Sequence, residues 1–413
     1  MINSLPGFLL CLFALSACQP KEAEAPRTEA TPTLAYATEL AQRVLIVDGH
    51  VDLPYRMRIH NFRIQREYLD PSGSNPKADF DFPRARQGGL NAPFMSIYLP
   101  SELQAIPGRS RMLADSLIDM VAGIAERYPD QVRLVGSPDD VQAAFAAGLI
   151  ALPMGMENGS GLEDDLANVR HFYDRGIRYI TLTHAKDNLI CDSSYDTTGT
   201  WRGVSPYGAQ VVKEMNGVGI MVDISHVSDS AFWDVMALTE VPMIASHSSC
   251  RYFTPGFERN MDDAMIQALA AKAGVIMINF GSTFVDSTSR ARFEVMEVAY
   301  QAYLTAEGLT DEDSLQDRFE ADYQASHPTL FSDVQRVADH IDHVVALAGV
   351  AHVGLGSDYD GVGDSLPRDL KDVSQYPNLV LELLKRGYSP EEIEHICSGN
   401  LLRVWQAVIA AAA

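Results

Sequence analysis

From residue 36 onward, short apolar runs alternate with stretches whose apolar residues recur every three or four positions. Eight runs are β-like, at residues 44–49, 92–98, 150–156, 179–183, 220–224, 243–246, 275–280 and 353–356. Continuous apolar runs of this length read as buried strands. Helical periodicity falls between them, at 109–128, 165–175, 209–216, 228–238, 262–271 and 332–348. Strand and helix in alternation imply a mostly parallel sheet. Eight strands favour a (β/α)8 TIM-type barrel over a doubly wound sheet, and such barrels carry their chemistry at the carboxyl ends of the strands. Two connections are long. Residues 56–89 suit a lid or side wall, and 281–330 are polar and partly helical, at 290–306 and 312–325. Long ordered loops tend to be functional.

The stretch before the first run has a different character. Residues 8–15 are a short apolar segment followed by Leu15-Ser16-Ala17-Cys18, which resembles a bacterial lipobox, so residues 1–18 read as a lipoprotein signal with Cys18 acylated. The segment is too short for a transmembrane helix. Its one departure is the absence of Lys or Arg from Met1 to Pro6. Gln19 in place of Asp after the cysteine directs the chain to the outer membrane of a Gram-negative cell, on its periplasmic face. Residues 19–35, rich in Pro, Ala, Glu and Thr without a hydrophobic period, read as a flexible tether. That leaves 36–413 as a single catalytic barrel.

Composition narrows the partners. A hydrophobic share of 46% and a charged share of 21% support a sizeable core, and a net charge of −23 argues against nucleic acid and against a polybasic membrane patch. The membrane contact expected is the lipid anchor alone. Outside the signal only Cys191, Cys250 and Cys397 remain, an odd number without a disulfide framework.

Candidate chemistry gathers at the ends of the runs. The first ends in His50-Val51-Asp52, and residues two apart on a strand share a side, so an imidazole and a carboxylate can aim at one point. That pair suits zinc. The third run ends in Met154-Gly155-Met156-Glu157, and the fourth leads into Thr183-His184. The fifth leads into Asp223-Ile224-Ser225-His226, the sixth into Ser246-His247, and the eighth into Asp358-Tyr359-Asp360. One histidine at a strand end is more often structural than a ligand. The same residue types at the same end of so many strands make a site.

These stretches resemble the membrane dipeptidase (renal dipeptidase) family of zinc metallopeptidases, a branch of the amidohydrolase-like barrels. The likeness runs in order through Asp48-Gly49-His50-Val51-Asp52-Leu53-Pro54, Gly155-Met156-Glu157-Asn158, Leu182-Thr183-His184, Asp223-Ile224-Ser225-His226, Ser246-His247-Ser248-Ser249, Arg259-Asn260, Gly356-Ser357-Asp358 and Asn400-Leu401-Leu402-Arg403. It implies two Zn2+ per chain, with His50 and Asp52 on the first, His226 and His247 on the second, and Glu157 bridging. It also implies that His184 stabilises the oxyanion and that Arg259 holds the carboxylate of a dipeptide. Asp358 would accept the ammonium and move the proton. The implied activity is hydrolysis of free dipeptides, some relatives tolerating a D-residue at the carboxyl side, in a homodimer. Two rivals stay open: a binuclear amidohydrolase for a cyclic amide, lactone or acylated amino acid, with no need of Arg259, and a non-catalytic binding lipoprotein.

Other positions receive quieter readings. Asp223 is either a support for a metal-bound imidazole or a buried, hydrogen-bonded carboxylate. Asp360 belongs to a strand-end turn, and Cys250 lies near His247 with the ligand set already full. His340 and His343, three apart on an amphipathic helix, read as a solvated face. Family members carry a disulfide cysteine two places after the His184 position; Lys186 stands there, so none is expected for Cys191.

Overall fold

In a computed structural model of the chain, eight parallel strands form one nearly closed sheet with helices outside it. The described residues are 1, 31–62, 70–310 and 313–412. Cys18, the signal and nearly all of the tether lie outside them, as do residues 63–69 of the first long connection. The chain divides into Met1–Thr31 and Pro32–Ala413, and everything below concerns the second unit. No helix among the described residues is long and apolar enough to cross a membrane.

The strands are β1 (Ile46–Val51), β2 (Leu90–Tyr98), β3 (Val132–Leu134), β4 (Ile150–Leu152), β5 (Met154–Glu157), β6 (Ile177–Thr181), β7 (Met221–Asp223), β8 (Ile244–Ala245), β9 (Val275–Ile278) and β10 (Val353–Leu355). The barrel order is β1-β2-β5-β6-β7-β8-β9-β10. Its seam closes beyond β10, where Asp52 N–H donates to the Tyr359 carbonyl (2.9 Å) and Asp358 N–H to the His50 carbonyl (3.1 Å). The third apolar run proves to be two strands. Pro153 has no N–H to give a ladder, and the chain changes sheets there. Ile150–Leu152 pairs with Val132–Leu134 in a separate two-stranded sheet, and only Met154–Glu157 enters the barrel.

Each helical pattern corresponds to a helix, and four of them carry a side-chain cap at their start. Ser205, Ser228, Asp262 and Asp333 cap Pro206–Val218, Asp229–Leu238, Asp263–Ala271 and Val334–Ala348 by accepting a backbone N–H. The long connection after β9 holds Ser287–Glu307 and Asp313–Ser326.

Two apolar clusters sandwich the sheet. One lies between strands and helices and takes Ile46, Val51, Met95, Ile180, Val222 and Ile276. The other fills the barrel and takes Val47, Phe94, Tyr179, Met221, Ile244 and Met277, with Trp405 beneath them. The first strand breaks its own alternation. Val47 faces inward and Val51 outward, so strict period two would turn His50 toward the helices. The register with β2 instead shifts between Asp48 and Val51, and this irregularity brings His50 inside. Asp48 holds it there, accepting from His50 N–H (2.9 Å), from Ser357 N–H (3.0 Å) and from the Tyr376 hydroxyl.

Candidate metal centre

At the carboxyl end of the barrel the interior turns polar, and the sequence-predicted residues meet there. Glu157, the last residue of β5, lies between two sets of imidazoles. Its Oε2 is 3.4 Å from His50 Nε2, and its Oε1 is 3.1 Å from His226 Nε2 and 3.3 Å from His247 Nε2. Asp52 Oδ2 stands 3.4 Å from the same His50 nitrogen. The ligand-type atoms fall into three overlapping groups: His50, Glu157 and His247; Glu157, His184 and His226; and His50, Asp52 and Asp358. All these residues but His184 are buried.

Hydrogen bonds decide which imidazole nitrogen faces the middle. The Tyr179 hydroxyl donates to the Gly49 carbonyl (3.1 Å), so it accepts from His50 Nδ1–H (2.8 Å) and turns Nε2 to Glu157 and Asp52. Against burial, Tyr179 and these carboxylates hold the ring well above the ordinary imidazole range, so Nε2 keeps a proton unless a cation takes its place. Tyr179 reaches His50 because Gly155 has no side chain; an added Cβ would overlap the phenol ring. The Ser246 hydroxyl donates to Asp223 Oδ2 (2.6 Å) and accepts from His247 Nδ1–H (2.7 Å), freeing Nε2. Asp223 therefore supports His247 through Ser246. It does not touch His226, and Thr181 Oγ1 (2.5 Å) and the N–H groups of Ser225 and Ser246 fill the rest of its carboxylate. His226 takes φ +68° and Asp358 φ +64°, conformations that L-residues rarely hold without compensating contacts.

The donor set fits a metal. His50 Nε2 and Asp52 Oδ1 are buried without hydrogen-bond partners, and His226 Nε2 and His247 Nε2 lie 2.8 Å apart. Two lone pairs that close need a proton or a cation between them. Burial, with Arg259 nearby, holds His226 and His247 well below the ordinary imidazole range, so both are neutral donors. Burial works against ionising Glu157, but the surrounding imidazoles, His50 foremost, outweigh it and keep the carboxylate charged.

Around this middle stand the other predicted residues. Burial also lowers His184, whose Nε2 is 3.7 Å from Glu157 Oε1, farther than its neighbours, and whose ring meets Tyr98 edge-on. Asp358 accepts from Asn279 Nδ2 (2.7 Å), and burial, reinforced by Asp52 and Glu157, pushes its carboxyl up to about 8. Arg259 is 3% exposed, gives Nη1 to Ser248 Oγ and Nη2 to the His247 carbonyl (both 2.8 Å), and has no carboxylate partner among the described residues. Its Nε has no hydrogen-bond partner.

The quieter positions sort as follows. Asp360 (φ +66°) accepts from Asp79 N–H while Asp79 accepts from Asp360 N–H, both at 2.8 Å, a reciprocal turn lock. His340 corrects the solvated-face expectation. It is wholly buried, its Nδ1 accepting from Cys250 N–H and its Nε2 donating to the Val285 carbonyl, both at 2.9 Å. Cys250 packs with it, away from the ligands, and Cys191, Cys250 and Cys397 are free thiols. Without a disulfide, the loop after His184 is ordered by side-chain acceptors: Asp187 takes Ser193 N–H and Thr200 N–H (both 2.9 Å), and Asp192 takes Trp201 N–H and Gly203 N–H (both 2.9 Å). Sequence reasoning missed Tyr179, Asn279 and the anchoring role of Asp48. Asn279 was findable, since it is a polar residue at a strand end like the rest.

Comparison with known proteins places this geometry. A sequence profile of the membrane dipeptidases (peptidase family M19) matches residues 34–413. An uncharacterized dipeptidase of Schizosaccharomyces pombe is 33% identical over 380 residues, 89% of this chain and 81% of that protein. A dipeptidase of Clonostachys rogersoniana is 33% identical over 383 residues, 91% of this chain and 87% of the relative. The crystal structure of the probable dipeptidase PvdM from Pseudomonas aeruginosa superposes with a TM-score of 0.77 at 25% identity, covering 92% of this chain and 99% of that one.

Proposed function

The chain belongs to the membrane dipeptidase family, peptidase family M19, and acts as a metal-dependent dipeptidase; from that premise we propose that the metal is zinc, two ions per chain, and that both ends of a free dipeptide are held by charge. His50 and Asp52 would hold one ion and His226 and His247 the other, with Glu157 shared between the two sets. The opposite faces that Glu157 Oε1 and Oε2 present to the two sets support this division. When bound, such ions supply Lewis acidity and bring the pKa of a coordinated water toward neutrality.

The chain's own residues do the rest. Arg259 receives the substrate carboxylate on its planar fork. Asp358, ionised once bound cations offset burial and the Asp52 and Glu157 charges that raise it, would receive the ammonium, take the proton of the attacking water and pass it to the leaving amine; Asn279 holds Oδ2, which leaves Oδ1 for this work. Neutral His184 donates its N–H to the carbonyl oxygen as negative charge develops there. Two fixed charges set the length of the substrate, because a longer or blocked peptide cannot place both. Some relatives' tolerance of a D-residue at the carboxyl side extends to this site as part of the proposal.

The observation that carries the dipeptide reading is Arg259, a buried cation without a carboxylate partner among the described residues. A site for a neutral cyclic amide or lactone has no use for it. Arg259→Ala should lower kcat/KM on dipeptides by about 10²–10³-fold, the scale of an unpaired buried charge. Unchanged turnover would favour the amidohydrolase alternative. Export and anchoring at Cys18, on the periplasmic face of the outer membrane, are supported by the lipobox-like Leu15-Ser16-Ala17-Cys18. Pairing into a homodimer is supported by the family resemblance.

A further inference from the structure

A cavity of about 620 Å³ lies at the same end of the barrel as the metal centre but outside its ring of ligands. Its walls come from the segments that follow β2, β5 and β6. Neither Glu157 nor His184 lines it. A partition of amides separates it from the centre: Asn158 Nδ2 donates to Gln104 Oε1 (2.9 Å), Asn188 Nδ2 to Asn158 Oδ1 (3.1 Å), and Gln104 Nε2 to the Asp187 carbonyl (3.1 Å).

The lining is chemically sided. Ile106, Leu189 and Trp201 present apolar surface, and the first two are half exposed, at 49% and 51%. The Trp201 indole is pinned in the cavity wall by its N–H to the Asn188 carbonyl (2.7 Å). The Ser101 hydroxyl, in a residue 8% exposed, has no hydrogen-bond partner. Glu163, Asp164 and Asp187 bring carboxylates to the lining and Lys186 an ammonium, with Asp196 near enough to Lys186 to feel its charge. An apolar wall, an unmet hydroxyl and charges of both signs on the lining complement a zwitterion that carries an apolar side chain. The volume lies within the ~300–1,000 Å³ of small-molecule sites.

We propose that this cavity is a second binding site, separate from the metal centre, for a free amino acid with an apolar or aromatic side chain. That this is the class of molecule the centre releases rests on the dipeptidase reading; the complementarity of the cavity does not.

The test is calorimetric titration of the zinc-loaded full chain with L-phenylalanine, in the wild type and in Arg259→Ala, Trp201→Ala and Glu163→Gln. Arg259→Ala, which cripples product binding at the centre, should keep one L-phenylalanine event. Trp201→Ala and Glu163→Gln should each weaken that event about tenfold, roughly 1.4 kcal/mol, and leave dipeptide kcat/KM without added amino acid within about twofold. 3-Phenylpropionate, which lacks the ammonium, should bind that site about tenfold more weakly. Loss of all binding in Arg259→Ala, or binding that neither other variant moves, overturns the proposal. If Arg259→Ala hydrolyses dipeptides normally, the dipeptidase reading falls while the cavity result still stands or falls on Trp201 and Glu163.

Discussion

Along five strands the residue facing the barrel axis changes from apolar to polar within two positions: Phe94 to Ser96, Tyr179 to Thr181, Met221 to Asp223, Ile244 to Ser246 and Met277 to Asn279. The lower layer is held by packing, with Phe94 5.3 Å from the rings of both Tyr179 and Trp405. The upper layer is held by hydrogen bonds. A buried polar layer is tolerable only where its groups are paired, and most here are. The exceptions then carry information. His50 Nε2 and Asp52 Oδ1 have no hydrogen-bond partner, and His50 Nε2 faces Glu157 together with Nε2 of His226 and of His247. Unpaired atoms in an otherwise paired layer mark where a ligand belongs.

The contrast can be broken from below. Phe94→Ala should cost about 3–5 kcal/mol of stability, as for a buried aromatic, read by chemical denaturation of the zinc-loaded protein. Its kcat/KM at saturating zinc should fall far less than its folding constant. A variant as stable as the wild type would mean that the lower layer is not a packed core.

From above, Ser246→Ala removes the link between Asp223 and His247 without replacing a proposed ligand. Zinc affinity should fall about 10–100-fold, the usual effect of losing an outer partner of a ligating histidine, with melting of the metal-free protein little changed. Equal affinity in a competition assay with a chelating dye would remove Asp223 from the account.

His340 sharpens the comparison as a histidine outside the centre with both nitrogens hydrogen-bonded by the protein. Burial holds it down to about 3, against roughly 6.5 in an unfolded chain. Between those values the unfolded state binds the extra proton, so stability is present above pH ~6.5 and drains away as pH falls toward 3. His340→Gln should flatten the loss over that window by up to about 1.4 kcal/mol per pH unit. The same slope in both proteins would show that His340 is protonated in the folded state.

The two layers also differ in how far the sequence announces them. The proposed ligands stand at the ends of apolar runs, where a charged or imidazole side chain interrupts the pattern, so His50, Glu157, His226 and His247 are weak signals one by one and persuasive only together. That His50 and Asp52 aim at one point does not follow from strand alternation alone, because β1 ends at Val51 and the inward turn of His50 depends on a register shift that Asp48 fixes from outside the local pattern. Tyr179 looked like one more core aromatic, and only the fold shows its hydroxyl under His50. The division at Pro153 was hidden by unbroken hydrophobicity on either side. His340 sat in a good amphipathic period, and periodicity does not say that a second layer of chain, around Val285 and Cys250, covers that face.

The most direct test is steady-state hydrolysis of L-Ala-L-Ala, L-Ala-D-Ala, Gly-D-Ala and an N-acetylated dipeptide, each before chelation, after it and after zinc is restored. The account predicts that free dipeptides are cleaved, that chelation abolishes the activity and zinc recovers it, and that the blocked substrate is turned over at least about a hundredfold more slowly for want of the ammonium that Asp358 receives. Cleavage of the blocked substrate at the rate of the free ones would contradict it, leaving a metal centre without the two-ended charge recognition argued for Arg259 and Asp358.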